Sequence, residues 1–213
     1  IESYGRSITI GGKTTTIMYV LTDVPKEILD ILDQVIREKD LKPLNMDLAG
    51  NLKHEYAIPK GKAAVSPFLM QMIIEHQKKY PNYFKKAHST LNYKACEVEL
   101  FNLWVNFQKK HEFNPFHRHD GLYSFVIWHK VPYKIEDENA RLVGMKEEDK
   151  RAGFFNFYYT GLDGQINQEA LPVDNSWEGK CALFPASLNH AVNPFYTSDE
   201  YRISISGNLG FKI

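Results

Sequence analysis

The chain has 213 residues, and its 26 Lys and Arg residues balance 26 Asp and Glu residues, so the formal net charge at pH 7 is zero. This balance excludes the strongly basic surface of a dedicated nucleic-acid-binding protein. Hydrophobic residues at 43% and charged residues at 24% exclude a disordered chain and fit one globular domain with a sizeable core. No apolar run approaches the roughly 18 residues of a membrane span, so we expect no membrane partner.

The two cysteines, Cys96 and Cys181, are too few for a disulfide framework or a zinc ribbon. We interpret them as small buried residues of a protein in a reducing compartment. No signal-peptide pattern opens the chain, so we expect a cytoplasmic location. The first residue is Ile1 rather than Met, which indicates a trimmed N-terminus and leaves a removed leader as an open alternative.

The N-terminal part predicts a hairpin followed by two helices. Short β-like runs at Ser7–Ile10 and Thr14–Leu21 flank Gly11-Gly12, which is typical of a two-residue turn. Apolar residues at helical spacing predict a first helix over about residues 25–39. Residues 40–64 look irregular, and Ser66 and Pro67 are expected to open a second helix that ends before Pro81.

The C-terminal part has the pattern of an antiparallel β structure. Five segments rich in β-branched and aromatic residues predict strands, while the charged segment Lys134–Arg151 predicts a surface loop. These strands are Val98–Gln108, Gly121–Val131, Phe154–Thr160, Cys181–Phe184 and Tyr201–Leu209. The fold class is therefore α+β and mainly β, a sandwich or jelly roll in a single domain. Residues 1–93 supply the hairpin and supporting helices, and residues 94–213 supply the β core.

Two of these strands carry a polar row opposite an apolar row, because alternate residues of a strand share a face. The polar rows are Asn102, Trp104, Asn106 and Gln108 on one strand, and Arg202, Ser204, Ser206 and Asn208 on the other. These rows face either solvent or an internal ligand cavity. The second interpretation is favoured, because the predicted helices need an apolar sheet face to cover.

Three of the eight histidines form a candidate metal site. His117 and His119 are two residues apart, so in an extended strand both imidazoles lie on one face and can chelate one ion. His190, far along the chain, is the candidate third ligand, and it is followed by Arg202 and Ser204 in the second polar row. An arginine inside a β structure requires an anionic partner, and its planar fork matches a carboxylate.

The other five histidines carry weaker signals. His54, His88 and His111 are expected at the surface, and His76 at the surface or half-buried on a helix. His129 is interpreted as a structural histidine, with the cavity as the alternative.

This order of motifs resembles the double-stranded β-helix dioxygenases that use Fe(II) and 2-oxoglutarate. A branch of these oxygenases that is common in bacteria and tailed phages is the more similar one, and the resemblance covers about residues 97–209. Asn45–Tyr56 also resembles the phage members, with less specific residues. The matching motifs are Trp104-x-Asn106, Asn114-x-x-His117-x-His119, Ser124-x-Val126, Lys130-Val131-Pro132, Phe184-Pro185 with His190, and Arg202-Ile203-Ser204-Ile205-Ser206-x-Asn208.

The resemblance implies a role for each of these residues. His117, His119 and His190 would hold Fe(II), and Arg202 with Ser204 would bind the distal carboxylate of 2-oxoglutarate. Its 2-oxo acid end would chelate the metal and leave a position for O₂. The expected reaction converts 2-oxoglutarate to succinate and CO₂ while it hydroxylates a substrate C–H bond, in the host cytoplasm if the protein is phage-encoded. Asn106, Trp104 and Tyr123 are expected to line the pocket from their parity and their proximity in sequence.

One departure from the superfamily concerns the metal. The usual carboxylate of the H-x-D motif is replaced by His119, and three neutral imidazoles also suit Zn²⁺. Asp120 is an alternative ligand if Gly121 permits a bulge that turns it inward; otherwise it accepts a hydrogen bond from a ligand histidine or belongs to the turn.

Two other functions stay open at this stage. One is a cupin-like metalloenzyme with three histidines that does not use 2-oxoglutarate, and the other is a non-catalytic jelly-roll binding or virion protein. The primary substrate, either a small molecule or a peptidyl residue, is expected to be selected by the loops Lys134–Arg151 and Leu162–Trp177. The sequence does not indicate the oligomeric state.

Overall fold

The computed structural model describes residues 7–10, 13–38, 41–44, 48–83, 97–161 and 163–212. The predictions for Gly11-Gly12, His88 and Cys96 lie outside these residues, as do positions 45–47 of the segment that resembles the phage proteins.

The N-terminal part combines short strands with two helices. Strands β1 (Ser7–Ile10) and β2 (Lys13–Thr16) pair with each other and are followed by β3 (Val20–Asp23), α1 (Lys26–Ile36), β4 (Lys42–Pro43), β5 (His54–Ala57) and α2 (Lys62–Lys79). The remaining elements are β6 (Val98–Gln108), β7 (Asn114–His117), β8 (Tyr123–Lys130), α3 (Ile135–Ala140), β9 (Phe155–Thr160), β10 (Ile166–Leu171), β11 (Lys180–Pro185), β12 (Asn189–Val192) and β13 (Arg202–Phe211).

Two antiparallel sheets form a jelly roll, which confirms the predicted mainly β, α+β class. The large sheet has the strand order β3-β11-β8-β13-β6-β5-β4, and the small sheet has the order β10-β9-β12-β7. Three strands of the large sheet, β3, β4 and β5, come from the N-terminal part, which therefore extends the β core as well as supporting it.

The large sheet separates two hydrophobic cores. Leu103 and Val105 of β6 and Ile205 of β13 pack on one face with Leu32 of α1 and Leu69 of α2. The second core lies between the sheets; its aromatic side chains include Trp128, Phe155, Phe157 and Phe184. The polar rows of β6 and β13 thus face inward, as the need to cover an apolar sheet face predicts.

Several element bounds differ from the sequence prediction. Thr14–Leu21 divides between β2 and β3, and α1 ends three residues before the predicted position. Helix α2 begins at Lys62, which places Pro67 inside it, because a 3₁₀ turn over Pro59–Gly61 leads directly into the helix. The segment Lys134–Arg151, predicted as a loop, contains α3.

Neither α1 nor α2, nor any other helix of the described chain, combines the length and the apolar character that a membrane crossing requires.

Candidate active site

Three histidines from two strands and a loop meet at one end of the jelly roll. His117 ends β7 and lies directly opposite His190 of β12 in the antiparallel pair. His119 follows β7, and its backbone N–H donates to the Ala186 carbonyl at 2.9 Å. One nitrogen of each imidazole lies within 4.8 Å of the corresponding nitrogens of the other two, so the three side chains are close enough to share one cation.

Two of these imidazoles are oriented by backbone carbonyls. Nδ1 of His117 lies 2.7 Å from the Pro115 carbonyl oxygen, and Nδ1 of His190 lies 3.0 Å from the Leu188 carbonyl oxygen. A carbonyl only accepts, so Nδ1 carries the proton in both rings and Nε2 is left with a free lone pair. Fixing the second nitrogen in this way is the usual means of orienting a metal-ligating histidine.

Burial keeps these three imidazoles neutral. It lowers the pKa of His119 to about 4, lowers the pKa of His117, and holds the pKa of the His190 imidazole well below its usual range. Neutral imidazole is the form that binds a metal ion, so the site does not have to release protons at neutral pH.

Asp120 stays outside this group of histidines. Gly121 adopts a φ of 106°, so the chain does turn sharply here, but the turn leaves the Asp120 side chain exposed. The negative charge of Asp120 raises the pKa of His119 and so opposes, in part, the lowering of that pKa by burial. The structure therefore does not support the alternative in which Asp120 replaces a histidine ligand.

Arg202 lies in the same pocket as the histidines and is only 3% exposed. One guanidinium nitrogen donates to the Tyr133 hydroxyl at 2.8 Å and to the Gly153 carbonyl at 3.1 Å, and the other terminal nitrogen donates to the Gln108 side-chain oxygen. All three partners are neutral, and no ion pair of Arg202 occurs within the described residues. A buried cation held this way creates a strong preference for an anion in the pocket.

The predicted pocket residues Trp104, Asn106 and Ser204 also line this cavity. The Asn106 side-chain amide donates to the Ser204 hydroxyl at 3.3 Å, across the pairing of β6 with β13. The ring of Trp104 lies 5.7 Å from the ring of His119, so the indole forms a wall next to the candidate metal ligands. The cavity is thus lined by three imidazoles, a guanidinium and several aromatic side chains.

A comparison with protein families identifies this arrangement. Residues 102–208, half of the chain, match the family described as "Putative 2OG-Fe(II) oxygenase". The protein belongs to the 2OG-Fe(II) oxygenase family. No curated protein sequence matches the chain.

Solved structures with this oxygenase fold support the assignment of the architecture. A prolyl-4-hydroxylase from Pseudomonas putida aligns with a TM-score of 0.53 at 13% identity, covering 92% of this chain and 94% of that one. A 2OG-Fe(II) oxygenase family oxidoreductase from Burkholderia pseudomallei gives 0.52 at 13% identity, with 91% and 84% coverage. The non-heme alpha ketoglutarate dependent carbocyclase SnoK gives 0.51 at 10% identity, with 92% and 80% coverage. These similarities show that the oxygenase has the double-stranded β-helix fold.

The donor atoms present fit the metal that this family uses. Fe(II) accepts imidazole nitrogen, and His117, His119 and His190 would supply three such ligands, fewer than the ion can take. The same set suits Zn²⁺, because both ions accept nitrogen ligands of this kind.

Tyr123 does not line the pocket of the oxygenase, so that prediction is wrong. On β8 the side chains of Tyr123, Phe125 and Ile127 share the face that packs under the helices, and Tyr123 is fully buried there. Its hydroxyl lies 3.0 Å from Nδ1 of His76 on α2. The error arises because proximity to the H-x-H motif in sequence gives no information on strand parity.

The other histidines that the structure describes lie away from the active site. His76 is buried rather than half-exposed, and burial lowers its pKa to about 4. His129 lies on the helix side of β8, where its Nε2 is 3.2 Å from an Asp33 carboxylate oxygen, which favours the structural interpretation. His111 is exposed, as expected, and the partly exposed His54 stacks on Tyr56.

Four site residues were not singled out from the sequence. Gln108, Tyr133 and Gly153 hold the Arg202 guanidinium, and Glu55 contributes a buried carboxyl group to the pocket. Gln108 belongs to the polar row of β6, so strand parity was an available signal for it. The other three come from turns and a short strand, where the local sequence carries no comparable pattern.

Proposed function

We propose that the protein is an Fe(II)- and 2-oxoglutarate-dependent dioxygenase that hydroxylates a C–H bond and releases succinate and CO₂. The observation that carries this proposal is the presence, in a single pocket, of three converging imidazoles and one buried arginine that is held by neutral hydrogen-bond partners. The resemblance of its motifs to the bacterial and tailed-phage branch supports placing the protein in that branch.

The histidines would hold the metal, and Arg202 would bind the co-substrate. His117, His119 and His190 offer three neutral nitrogen ligands. The guanidinium of Arg202, with the Ser204 hydroxyl on the same face of β13, would take the distal carboxylate of 2-oxoglutarate. When bound, Fe(II) supplies the oxidative chemistry by which O₂ decarboxylates 2-oxoglutarate and oxidises the substrate.

The charges in the pocket support a dianionic co-substrate. Three imidazoles add no negative charge to a divalent metal, whereas the superfamily's usual carboxylate adds one. Arg202 adds a further positive charge to the same pocket. A dianion that contacts both the metal and Arg202 compensates their charges together, and the Trp104 and Trp128 side chains in the lining make the pocket less polar, which strengthens each of these interactions.

Anaerobic titration with Fe(II) and then 2-oxoglutarate tests this function. We expect a weak visible metal-to-ligand charge-transfer band on addition of 2-oxoglutarate, and succinate release after O₂ is admitted. The three-imidazole donor set would also serve a cupin-like metalloenzyme that does not use 2-oxoglutarate; such a protein binds the metal but gives no band. A non-catalytic jelly-roll protein gives no succinate.

The primary substrate is proposed to be a small molecule or a peptidyl residue that enters this pocket beside 2-oxoglutarate. Acidic and basic residues are equal in number, so the chain lacks the excess of positive charge that is typical of nucleic-acid-binding proteins, and this argues against a nucleic-acid substrate.

A further inference from the structure

The carboxyl group of Glu55 lies in the active-site pocket but has no role in the function proposed above. Glu55 is on β5, is only 1% exposed and lines the cavity that also contains His117, His190 and Arg202. Its Oε2 atom is buried and has no hydrogen-bond partner within the described part of the chain. A buried carboxyl oxygen without a partner costs stability, so it needs an explanation.

Glu55 is placed by the sheet next to a second unused acceptor. In the β5–β6 pairing Glu55 lies directly opposite Asn106, and in the β6–β13 pairing Asn106 lies opposite Ser204. Directly opposite side chains have their Cβ atoms about 5 Å apart. The Asn106 side-chain nitrogen donates to Ser204, while its Oδ1 atom is buried and has no partner among the described residues. Two buried acceptor oxygens without a described partner therefore come from directly paired positions of β5 and β6.

No ion pair of Glu55 occurs among the residues that the structure describes, although Arg202 lines the same pocket. Leu48, Ala49 and Leu52 form an apolar wall of the pocket beside it. A Cβ atom on Gly50 would lie 2.9 Å from Glu55 Oε1 and 3.1 Å from Asn114 Oδ1, so the backbone packs closely against the carboxyl group. Burial, with a smaller contribution from the negative charge of Glu112, raises the pKa of Glu55 to about 7.

Two alternative roles for Glu55 do not fit these contacts. A structural role requires partners for the carboxyl group, and Oε2 has none. A role as a metal ligand requires its oxygens to lie among the imidazole nitrogens, but the ligand group found within the described residues contains only the three histidines. Glu55 also lies outside the segment 102–208 that matches the oxygenase family model, so the family match assigns it no role.

We propose that Glu55, together with the side-chain oxygen of Asn106, binds an ammonium group of the primary substrate. This inference rests on the proposed oxygenase function, because it names the class of molecule that the same pocket oxidises. An alkylammonium ion donates three hydrogen bonds and carries the positive charge that an isolated carboxylate requires, so it satisfies both orphaned oxygens. The substrate is therefore a primary amine or a peptidyl residue with one, such as a lysine side chain.

The position of the carboxyl group relative to the histidines fits a substrate of this size. Asn114, which lies beside Glu55 across Gly50, is on the same strand as His117. Three residues along a strand span roughly 10 Å. An ammonium group held at Glu55 thus leaves a short aliphatic chain to reach the metal side of the pocket.

The first test is the stability of the metal-free protein at different pH values, for wild type, Glu55→Gln and the matched control Glu99→Gln on the exposed face of β6. Because the folded-state pKa of Glu55 is raised from 4.5 to about 7, wild type loses stability relative to the Gln variant as the pH rises through that interval. At about pH 8 we expect Glu55→Gln to melt several degrees higher than wild type. At about pH 5 we expect the two proteins to melt at nearly the same temperature. A Gln variant that melts lower at both pH values has lost a structural contact, which overturns the proposal.

The second test measures binding of primary alkylammonium ions from ethyl to hexyl, each paired with the neutral alcohol of the same length. Binding is followed by the change in the visible band of the anaerobic Fe(II)–2-oxoglutarate complex. We expect wild type to prefer the amine of at least one pair, and Glu55→Gln to bind that amine at least about tenfold more weakly, with the alcohol unchanged. Equal binding of amine and alcohol by wild type, or an unchanged preference in Glu55→Gln, would overturn the proposal.

The two proposals fail in different ways. If the complex shows no visible band with 2-oxoglutarate, the oxygenase function fails, while the pH-dependent stability of Glu55→Gln still tests the carboxyl group. If the band forms and succinate is released but no amine is preferred, only the assignment of the substrate class fails.

Discussion

His190 lies directly opposite His117 across the β7–β12 pair, and the centres of the two imidazole rings are 4.2 Å apart. Each ring is turned by a backbone carbonyl two residues before it, at Pro115 and Leu188. The two strands and their carbonyls therefore preset two of the three ligands before any metal binds. His190 is also the most deeply buried of the three ligands. We therefore expect that replacing His190 weakens metal binding more than replacing either of the other two histidines.

We expect His190→Ala to abolish Fe(II) binding, because two imidazoles seldom retain this ion. Metal content after gel filtration and calorimetric titration with Fe(II) measure the effect. His129→Ala is the matched control, because it removes a histidine that contacts Asp33 of α1 outside the pocket. Full metal retention by His190→Ala would remove this residue from the site.

His119→Ala should also lose the metal, whereas Asp120→Asn should retain it. The His119 imidazole is within 4.8 Å of both other ligands, but the Asp120 carboxylate is exposed. Zn²⁺ and Fe(II) affinities of both variants, measured side by side under anaerobic conditions, give the order. If Asp120→Asn loses more affinity than His119→Ala, Asp120 is the third ligand and the loop after β7 rearranges on binding.

For Arg202 we expect a separation of metal binding from co-substrate binding. Arg202→Gln removes a charge-assisted contact worth about 1.5–3 kcal/mol, which corresponds to roughly 10- to 100-fold weaker 2-oxoglutarate binding. Fe(II) binding should stay unchanged, because Arg202 contacts Gln108, Tyr133 and Gly153 rather than the histidines. Titration of the visible band measures 2-oxoglutarate binding, and metal content after gel filtration measures Fe(II) binding, with Arg37→Gln, at the surface directly after α1, as the control. Unchanged 2-oxoglutarate affinity in Arg202→Gln would contradict this role.

The long strands and their polar rows could be predicted from the sequence because period-2 alternation is a local signal. The bounds of β6 match the prediction, and its row of Trp104, Asn106 and Gln108 faces the pocket. The order of His117, His119 and His190 was likewise visible in the sequence.

The short elements could not be predicted, because their structure depends on tertiary pairing. Strand β5 has four residues within a segment that looked irregular, and it exists through its hydrogen bonds with β6. Glu55 therefore gave no local sign of its position in the pocket. Strands β7 and β12, which carry two ligands, are also only four residues long. The partners of Arg202 at Tyr133 and Gly153 come from turns that only the fold brings together.

The pH dependence of stability should report on the buried His76. Its folded-state pKa is lowered from 6.5 to about 4 by burial, so the folded protein binds fewer protons than the unfolded chain. The stability that this group contributes is present above pH 6.5 and is lost as the pH falls towards 4, by up to about 3 kcal/mol. Urea unfolding of the Zn²⁺-loaded protein across this interval should therefore show a smaller loss for His76→Gln than for wild type. Equal slopes for the two proteins would show that His76 does not control the effect.

Gly153 should matter for 2-oxoglutarate through its support of Arg202. Gly153 has a φ of 75°, its carbonyl accepts from both Arg202 and Tyr133, and an added Cβ would lie 2.7 Å from the Tyr133 ring. Gly153→Ala combines left-handed strain of about 1 kcal/mol with this clash, so it should displace Tyr133 and weaken the hold on the guanidinium.

Gly164→Ala is the matched control for that substitution. Gly164 also has a positive φ of 82°, but an added Cβ there would meet no atom within 4 Å. We expect both variants to melt at lower temperature, and only Gly153→Ala to bind 2-oxoglutarate several-fold more weakly when the visible band is titrated. If the two variants lose stability alike and keep wild-type affinity, the Gly153 carbonyl does not position Arg202, and the guanidinium is held by its other partners.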